Sequence, residues 1–208
     1  MNGTEQWTRT AADIFWGEIA PCDHVIQFYE NDEVFLDTLA GFVGSGISAG
    51  ECVVVIATSN HLQSLYYRLS NYAINIQTLM DDDRYIPLNA EEVLDKFMVD
   101  GWPDEDRFNK TISSIVNKGA CRNRRVRAFG EMVALLWGRG DNAATVHLEH
   151  LWNRFCETNN LSLFCAYPKT GFTEDIKDSI KTLCACHSKI INGREKQLTE
   201  IYYANVQE

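Results

Sequence analysis

No stretch of this 208-residue chain approaches the ~20 consecutive apolar residues that a membrane span requires, so a membrane partner is not expected. The opening MNGTEQWTRTAADIFWGE has no basic segment followed by an apolar run, which argues against a secretory leader. Positive charge is scarce. Nineteen Lys and Arg stand against 29 Asp and Glu, for a formal net charge of −10. Phosphate backbones are held by clustered cations, so direct nucleic-acid binding is not expected either. Seven cysteines are an odd number in a long chain. They do not read as a disulfide framework, and a cytoplasmic location with most thiols buried as small hydrophobes follows. There is no His-Glu-x-x-His, and no serine sits on a strand-to-helix elbow. The expectation is a protein that is not an enzyme.

What remains is rich in apolar residues, 45% of the chain, enough for one large domain. His24 to Tyr29 reads as a strand, and Glu30-Asn31-Asp32 can cap a following helix. Phe35, Leu36, Leu39, Phe42 and Val43 then recur at helical spacing. Cys52 to Ala57 is apolar throughout, as in a parallel sheet covered on both faces. Further strands are expected at 84–88, 124–129 and 161–167, with helices between them, including one capped by Asn89 and running to Met98. From about Thr173 the spacing predicts helix to the chain end. Ile176, Ile180, Leu183, His187, Ile190, Arg194, Leu198 and Ile201 form a three-four stripe that could dimerise or carry a signal outward. Alternating strands and helices imply a three-layer α/β sandwich with a mainly parallel sheet plus a C-terminal helix. The expected organisation is a lead-in over 1–21, in which Trp7, Phe15 and Trp16 could dock, a domain over 22–192, and a helical extension over 193–208.

Ligands of such sheets sit beyond the carboxyl ends of the strands. That rim gathers Tyr29, Thr58, Phe129, Gly130, Glu131, Tyr167 and Pro168. Gly44, Gly46 and Gly50 invite comparison with a phosphate loop, but they end a helix and precede a strand. A phosphate loop does the reverse, so that backbone N–H groups face the anion. The actual turn after the first strand, Tyr29-Glu30-Asn31-Asp32-Glu33, carries three carboxylates and no lysine. A helix ending in Gly-x-x-x-Gly-Glu and leading into an apolar strand that ends Ala-Thr is similar to the RecA/KaiC-type ATPase core, here with a degenerate phosphate loop.

The specific resemblance is carried by several motifs in order. They are His24-Val25-Ile26-Gln27-Phe28-Tyr29, Asn89-Ala90-Glu91-Glu92, Arg124 through Val133, Leu135-Leu136-Trp137, Glu149-x-x-Trp152-Asn153, Cys165-Ala166-Tyr167-Pro168 and Cys184-x-x-His187-Ser188. Together they resemble the MEDS domain, the sensory region of the regulator DcmR. The resemblance implies a cytoplasmic signalling module of RecA/KaiC-like architecture that detects simple hydrocarbon derivatives.

The candidate ligand-binding set is His24, Gln27, Phe28, Tyr29, Thr58, Arg127, Phe129, Glu131, Cys165, Tyr167, Cys184 and His187. Arg127 could pair with a carboxylate or sulfonate at the rim, or form a structural ion pair with Glu131. His24, Cys184 and His187 raise a metal possibility, with Cys22, Cys165 and Cys186 in reserve. Cys184 and His187 would share a helix face, and Cys22 and His24 one side of a strand. The expectation nonetheless is no resident metal and no cofactor. Expected partners are a small-molecule ligand and a signalling protein or effector domain, a kinase or transcription regulator, with the last helix a candidate homodimer contact. A metal- or haem-linked redox sensor, and an enzyme built on a His/Cys/Glu cluster, stand as alternatives.

Overall fold

A computed structural model of the chain describes residues 16–71, 75–120, 123–169, 177–193 and 199–203. Strand β1 (His24–Tyr29) is followed by helix α1 (Asp32–Ser48), β2 (Cys52–Ala57), α2 (Ser59–Ser70) and α3 (Ile76–Asp81). Then come β3 (Tyr85–Asn89), α4 (Ala90–Leu94), the short β4 (Met98–Val99) and β5 (Trp102–Pro103), and α5 (Glu105–Ala120). The chain continues through β6 (Val126–Gly130), α6 (Met132–Gly138), α7 (Asn142–Asn159), β7 (Ser162–Pro168), α8 (Lys177–Ala185), β8 (Lys189–Gly193) and β9 (Thr199–Tyr203).

The large sheet runs β3-β2-β6-β7-β1-β8-β9. Its pairs are parallel except the last, β8 with β9. This is the three-layer α/β sandwich the alternation predicts. All of β2 is buried, and its side chains alternate between two cores. Val53 and Val55 join Phe35, Leu39, Phe42, Leu65 and Phe129 beneath α1, α2 and α3. Cys52, Val54 and Ile56 join Phe97, Phe108, Ile112, Met132, Leu148 and Trp152 beneath α4 to α7. Trp16 closes the first core, its ring centroid 5.0 Å from that of Phe42 and 4.9 Å from that of Phe164. Trp7 and Phe15 lie outside the described residues.

Three polar caps start helices where strands end. The Asn31 side chain accepts from Glu33 N–H at 2.7 Å, Thr58 from His61 N–H at 3.4 Å, and Asn89 from Glu92 N–H at 3.0 Å. The helix capped by Asn89 stops at Leu94, short of the expected Met98, because Phe97 turns into the core and Met98–Val99 pair with Trp102–Pro103. At one margin of the sheet, Val53 N–H donates to Arg84 C=O. That bond sets the alternation so that Ile86 and Leu88 turn their main chain to β2 while Pro87 turns outward.

The expected terminal helix is corrected. After Ala185 the chain becomes two strands, β8 beside β1 and β9 beside β8. The three-four stripe therefore does not form one helix face. Ile180 and Leu183 lie on α8, Ile190 and Ile201 on strands, and Ile176, Arg194 and Leu198 outside the described residues. Ile190 and Ile191 are β-branched, and the free side of β1 offers them backbone partners.

Candidate functional site

Two polar centres stand out among the described residues. The first is sealed inside the core under α7. Cys165 and Tyr167, two apart on β7, point into the same layer. His24 enters it from β1. His187 enters from just beyond the end of α8, over His24, with ring centroids 3.9 Å apart and planes inclined at 40°. Glu149 completes the group from the middle of α7 and is wholly buried. Its Oε1 accepts from the Tyr167 hydroxyl. Its Oε2 lies 3.3 Å from His24 Nε2, 3.5 Å from His187 Nε2 and 3.8 Å from Cys165 Sγ. His24 Nε2 and Cys165 Sγ are 3.3 Å apart.

Burial and neighbouring charges pull these groups in opposite directions. Burial alone would push the Glu149 carboxyl up, but the two imidazoles and the Tyr167 hydroxyl outweigh it and hold the group below the usual carboxylate range. Burial, then the neighbouring His24, pushes His187 down, towards the neutral ring. Burial, then Glu149, drives the Cys165 thiol and the Tyr167 phenol upward. His187 Nδ1 lies 2.5 Å from Leu183 C=O. A carbonyl only accepts, so Nδ1 carries the proton and Nε2 the lone pair. Among the described residues, buried His187 Nε2 and His24 Nδ1 have no hydrogen-bond partner. Four ligand atoms, one each from His24, Glu149, Cys165 and His187, lie within 4.8 Å of one another and could hold a metal ion.

The second centre opens to water at the carboxyl rim. Asp32, Glu33, Leu36, Thr58, His61 and Glu131, with Ser59, Asn60, Ser64 and Glu91, line a cleft of about 570 Å³. Glu131 is its fixed point. Its backbone N–H is tied to Ile56 C=O at 2.9 Å. One carboxylate oxygen accepts from Thr58 N–H at 2.8 Å, and the other meets His61 Nδ1 at 2.7 Å. Burial pulls His61 down, but the hydrogen bond and charge of Glu131, with Asp32 behind, leave its pKa raised. Tyr29 stacks on Phe35 at 4.7 Å, and Phe35 meets His61 edge-on at 5.0 Å. Burial and the charges of Glu131 and Asp32 push the Tyr29 phenol upward.

The residues singled out in the sequence thus divide. His24, Cys165, Tyr167 and His187 meet in the sealed centre, with the Phe28 ring 6.1 Å from that of Tyr167. Thr58 and Glu131 meet in the cleft. Gln27 points to the opposite layer and donates to Thr38 Oγ1 at 3.1 Å. Phe129 is core, 5.6 Å from Phe35 and 5.2 Å from Phe164. Cys184 stands apart, because α8 ends at Ala185 and His187 lies beyond it, so the expected shared helix face does not exist. Cys22 sits before β1 at φ 68°, with its thiol on Asn160 Oδ1 at 3.6 Å, not beside His24.

Arg127 requires the clearest correction. It lies near the start of β6, away from the rim, and pairs with Glu51 instead of Glu131. Its guanidinium also donates to Phe42 C=O at 3.2 Å and sits 5.2 Å from the centre of the Phe42 ring. Gly46 makes room for it, since a Cβ there would come within 2.7 Å of Arg127 Cδ. The letters Gly46-Ile47-Ser48-Ala49-Gly50 spell a nucleophile elbow, but they finish α1 and leave Ser48 off any strand-to-helix turn.

Sequence reasoning missed two residues. Glu149 was visible as a carboxylate inside the apolar stripe Ala144, Leu148, Leu151, Trp152 and Phe155. His61 carried no local signal beyond its place one turn after the Thr58 cap.

The family model described as "MEthanogen/methylotroph, DcmR Sensory domain", MEDS, matches residues 23–188. A KaiC-like protein of Pyrococcus horikoshii OT3 superposes with a TM-score of 0.59 at 12% identity, covering 90% of this chain and 81% of that one. A second protein of Pyrococcus horikoshii OT3, from a structural study, gives 0.58 at 11% identity, covering 92% and 91%. At such identities the likeness concerns the fold alone. No curated protein matches the chain in sequence.

Proposed function

Because the chain belongs to the MEDS family of sensory domains, we propose that it detects a small organic molecule in the rim cleft and passes the change to a signalling partner without converting the ligand. The observation that carries this reading is the cleft itself, large enough for a small molecule and built around a carboxylate fixed by backbone and side-chain donors. Of its acidic side chains, Glu131 is engaged by His61 and Glu33 by Arg68. Asp32 and Glu91 add further negative charge. A ligand with a protonated amine or another strong hydrogen-bond donor fits such a lining, and a carboxylate or phosphate does not.

The same charges favour a phosphate loop that has lost its function. The N-terminus of α1 would by itself attract an anion, but Asp32 and Glu33 occupy its first turn. The relay runs through β1. Its carboxyl end leads by way of Asn31 into Asp32 at the cleft, and its free side carries β8. A ligand that prefers one position of the β1–α1 turn biases the strands attached to it. This replaces the terminal helix as the route towards a kinase or transcription regulator.

The test is calorimetric titration of the full chain with small alkylammonium ions, the matched alcohols and the matched carboxylates, alongside native mass spectrometry of fresh protein. Alkylammonium binding that weakens in Asp32→Asn and Glu91→Gln supports the reading. Equal affinity for all three classes, no binding of any, or conversion of the bound molecule would sink it.

A further inference from the structure

Glu149 Oε2 and His187 Nε2 lie 3.5 Å apart in a fully buried space. The ring proton of His187 is committed to Leu183 C=O at Nδ1. That bond places no hydrogen on Nε2, and in the singly protonated ring the two facing atoms are both lone-pair sites. Lone pairs forced together away from water repel unless a cation lies between them. Two further donors of metal-ligand type, His24 Nε2 and Cys165 Sγ, border the same space, and all four lie within 4.8 Å of one another.

Three of the spacings among these atoms match the edges of a coordination tetrahedron, and a fourth, between Glu149 Oε2 and Cys165 Sγ, is slightly longer. Zinc-to-nitrogen bonds of about 2.0–2.1 Å and a zinc-to-sulfur bond of about 2.3 Å put the edges of a tetrahedron at roughly 3.3–3.6 Å. The distances from His24 Nε2 to Cys165 Sγ and to Glu149 Oε2 are both 3.3 Å, from His187 Nε2 to Glu149 Oε2 3.5 Å, and from Cys165 Sγ to Glu149 Oε2 3.8 Å. From these observations we infer that His24, Glu149, Cys165 and His187 bind one divalent ion of the zinc class.

Imidazole and thiolate select zinc-like ions over magnesium or calcium. Four protein ligands close the coordination shell, and with the imidazoles in ring contact there is room for a single ion and not for a macrocycle. Outer contacts are already in place. Tyr167 holds the other oxygen of Glu149, and Leu183 C=O fixes the His187 ring. The ion ties together β1, β7, α7 and the segment between α8 and β8. It anchors the C-terminal strands to the strand that leads to the cleft. This centre is separate from the cleft, and either reading can fail without the other.

The experiment uses the full chain, stripped with a chelator and titrated with Zn²⁺ or Co²⁺ alone. The expected result is one ion per chain by elemental analysis, with the intense visible bands of tetrahedral Co²⁺ and a near-ultraviolet thiolate-to-cobalt band. Cys165→Ser is expected to abolish the thiolate band. Tyr167→Phe, which removes no ligand, is expected to weaken binding about 10- to 100-fold. Substoichiometric metal, or the weak spectrum of octahedral Co²⁺ in the native chain, overturns the inference, and that result does not depend on any variant folding. A thiolate band that persists in folded Cys165→Ser overturns it as well, since Cys184 or Cys186 would then be the ligand.

Discussion

Glu149 and Glu131 are both carboxylates next to histidine, yet they sit in opposite settings. Glu149 lies in the middle of a helix, wholly out of water, with each oxygen facing fixed donors or ligand atoms. Glu131 lies where β6 meets α6, with one oxygen on backbone and the other on a histidine that borders open solvent. Low dielectric strengthens every contact around Glu149 and raises the penalty for losing one. Glu131 is buried too, but its His61 partner borders the cleft, where water and ligands can reach the pair. The first setting suits a permanent junction between elements, the second a site that fills and empties. Arg127 and Glu51 form another sealed pair, on the other side of the sheet.

Substitutions can break this contrast in graded steps. Arg127→Met leaves the Glu51 carboxylate buried with, among the described residues, the half-exposed Arg125 as its remaining cationic partner, and is expected to cost about 3–5 kcal/mol in urea unfolding. Adding Glu51→Leu should recover most of that loss, and a double variant no more stable than the single one would show that the pair is not the cause. Tyr167→Phe removes a donor to a buried charge, and a loss of about 1.5–3 kcal/mol is expected by the same measurement in chelator-treated protein.

At the rim, His61→Gln should cost only about 1 kcal/mol, and the cost should depend on pH. The folded-state pKa of His61 is raised, so the stabilisation is complete below its unfolded value of about 6.5 and fades as pH rises through the folded value. Unfolding midpoints of wild type and variant should therefore converge in alkaline buffer; divergence there would reverse the assignment. Smallest of all is Arg68→Ala. Its partners Glu33 and Asp37 are mostly exposed, and a change within about 0.5 kcal/mol that vanishes in high salt is expected.

Local chemistry made much of this legible. The continuous apolar run of β2 and the cap residues Asn31 and Asn89 each have one physical reading, and the structure follows it. Of the glycines expected to end α1, Gly44 and Gly46 lie within it, and Gly50 follows its end at φ 77°. Alternation along β1 and β6 was also available. It already separates His24 and Phe28 from Gln27 and Tyr29, so a single rim site containing all of them was too generous. Glu149 was detectable as a charge among apolar neighbours, since such a residue must find partners. Other features were not readable locally. The Glu51–Arg127 pair joins residues distant in sequence, and the Ile190-Ile191 run fits a strand only because β1 has a free side to receive it. Short apolar runs carry no period of their own.

Pro87 has a consequence for how copies of this molecule meet. A sheet margin presents unpaired amides that can recruit a foreign strand, and such recruitment begins stacked aggregates. On the outermost strand β3, the middle of the outward-facing positions, between Tyr85 and Asn89, belongs to a residue that has no amide hydrogen to offer a newcomer. Along that side the polypeptide is poorly suited to templating its own accumulation, even in a crowded solution.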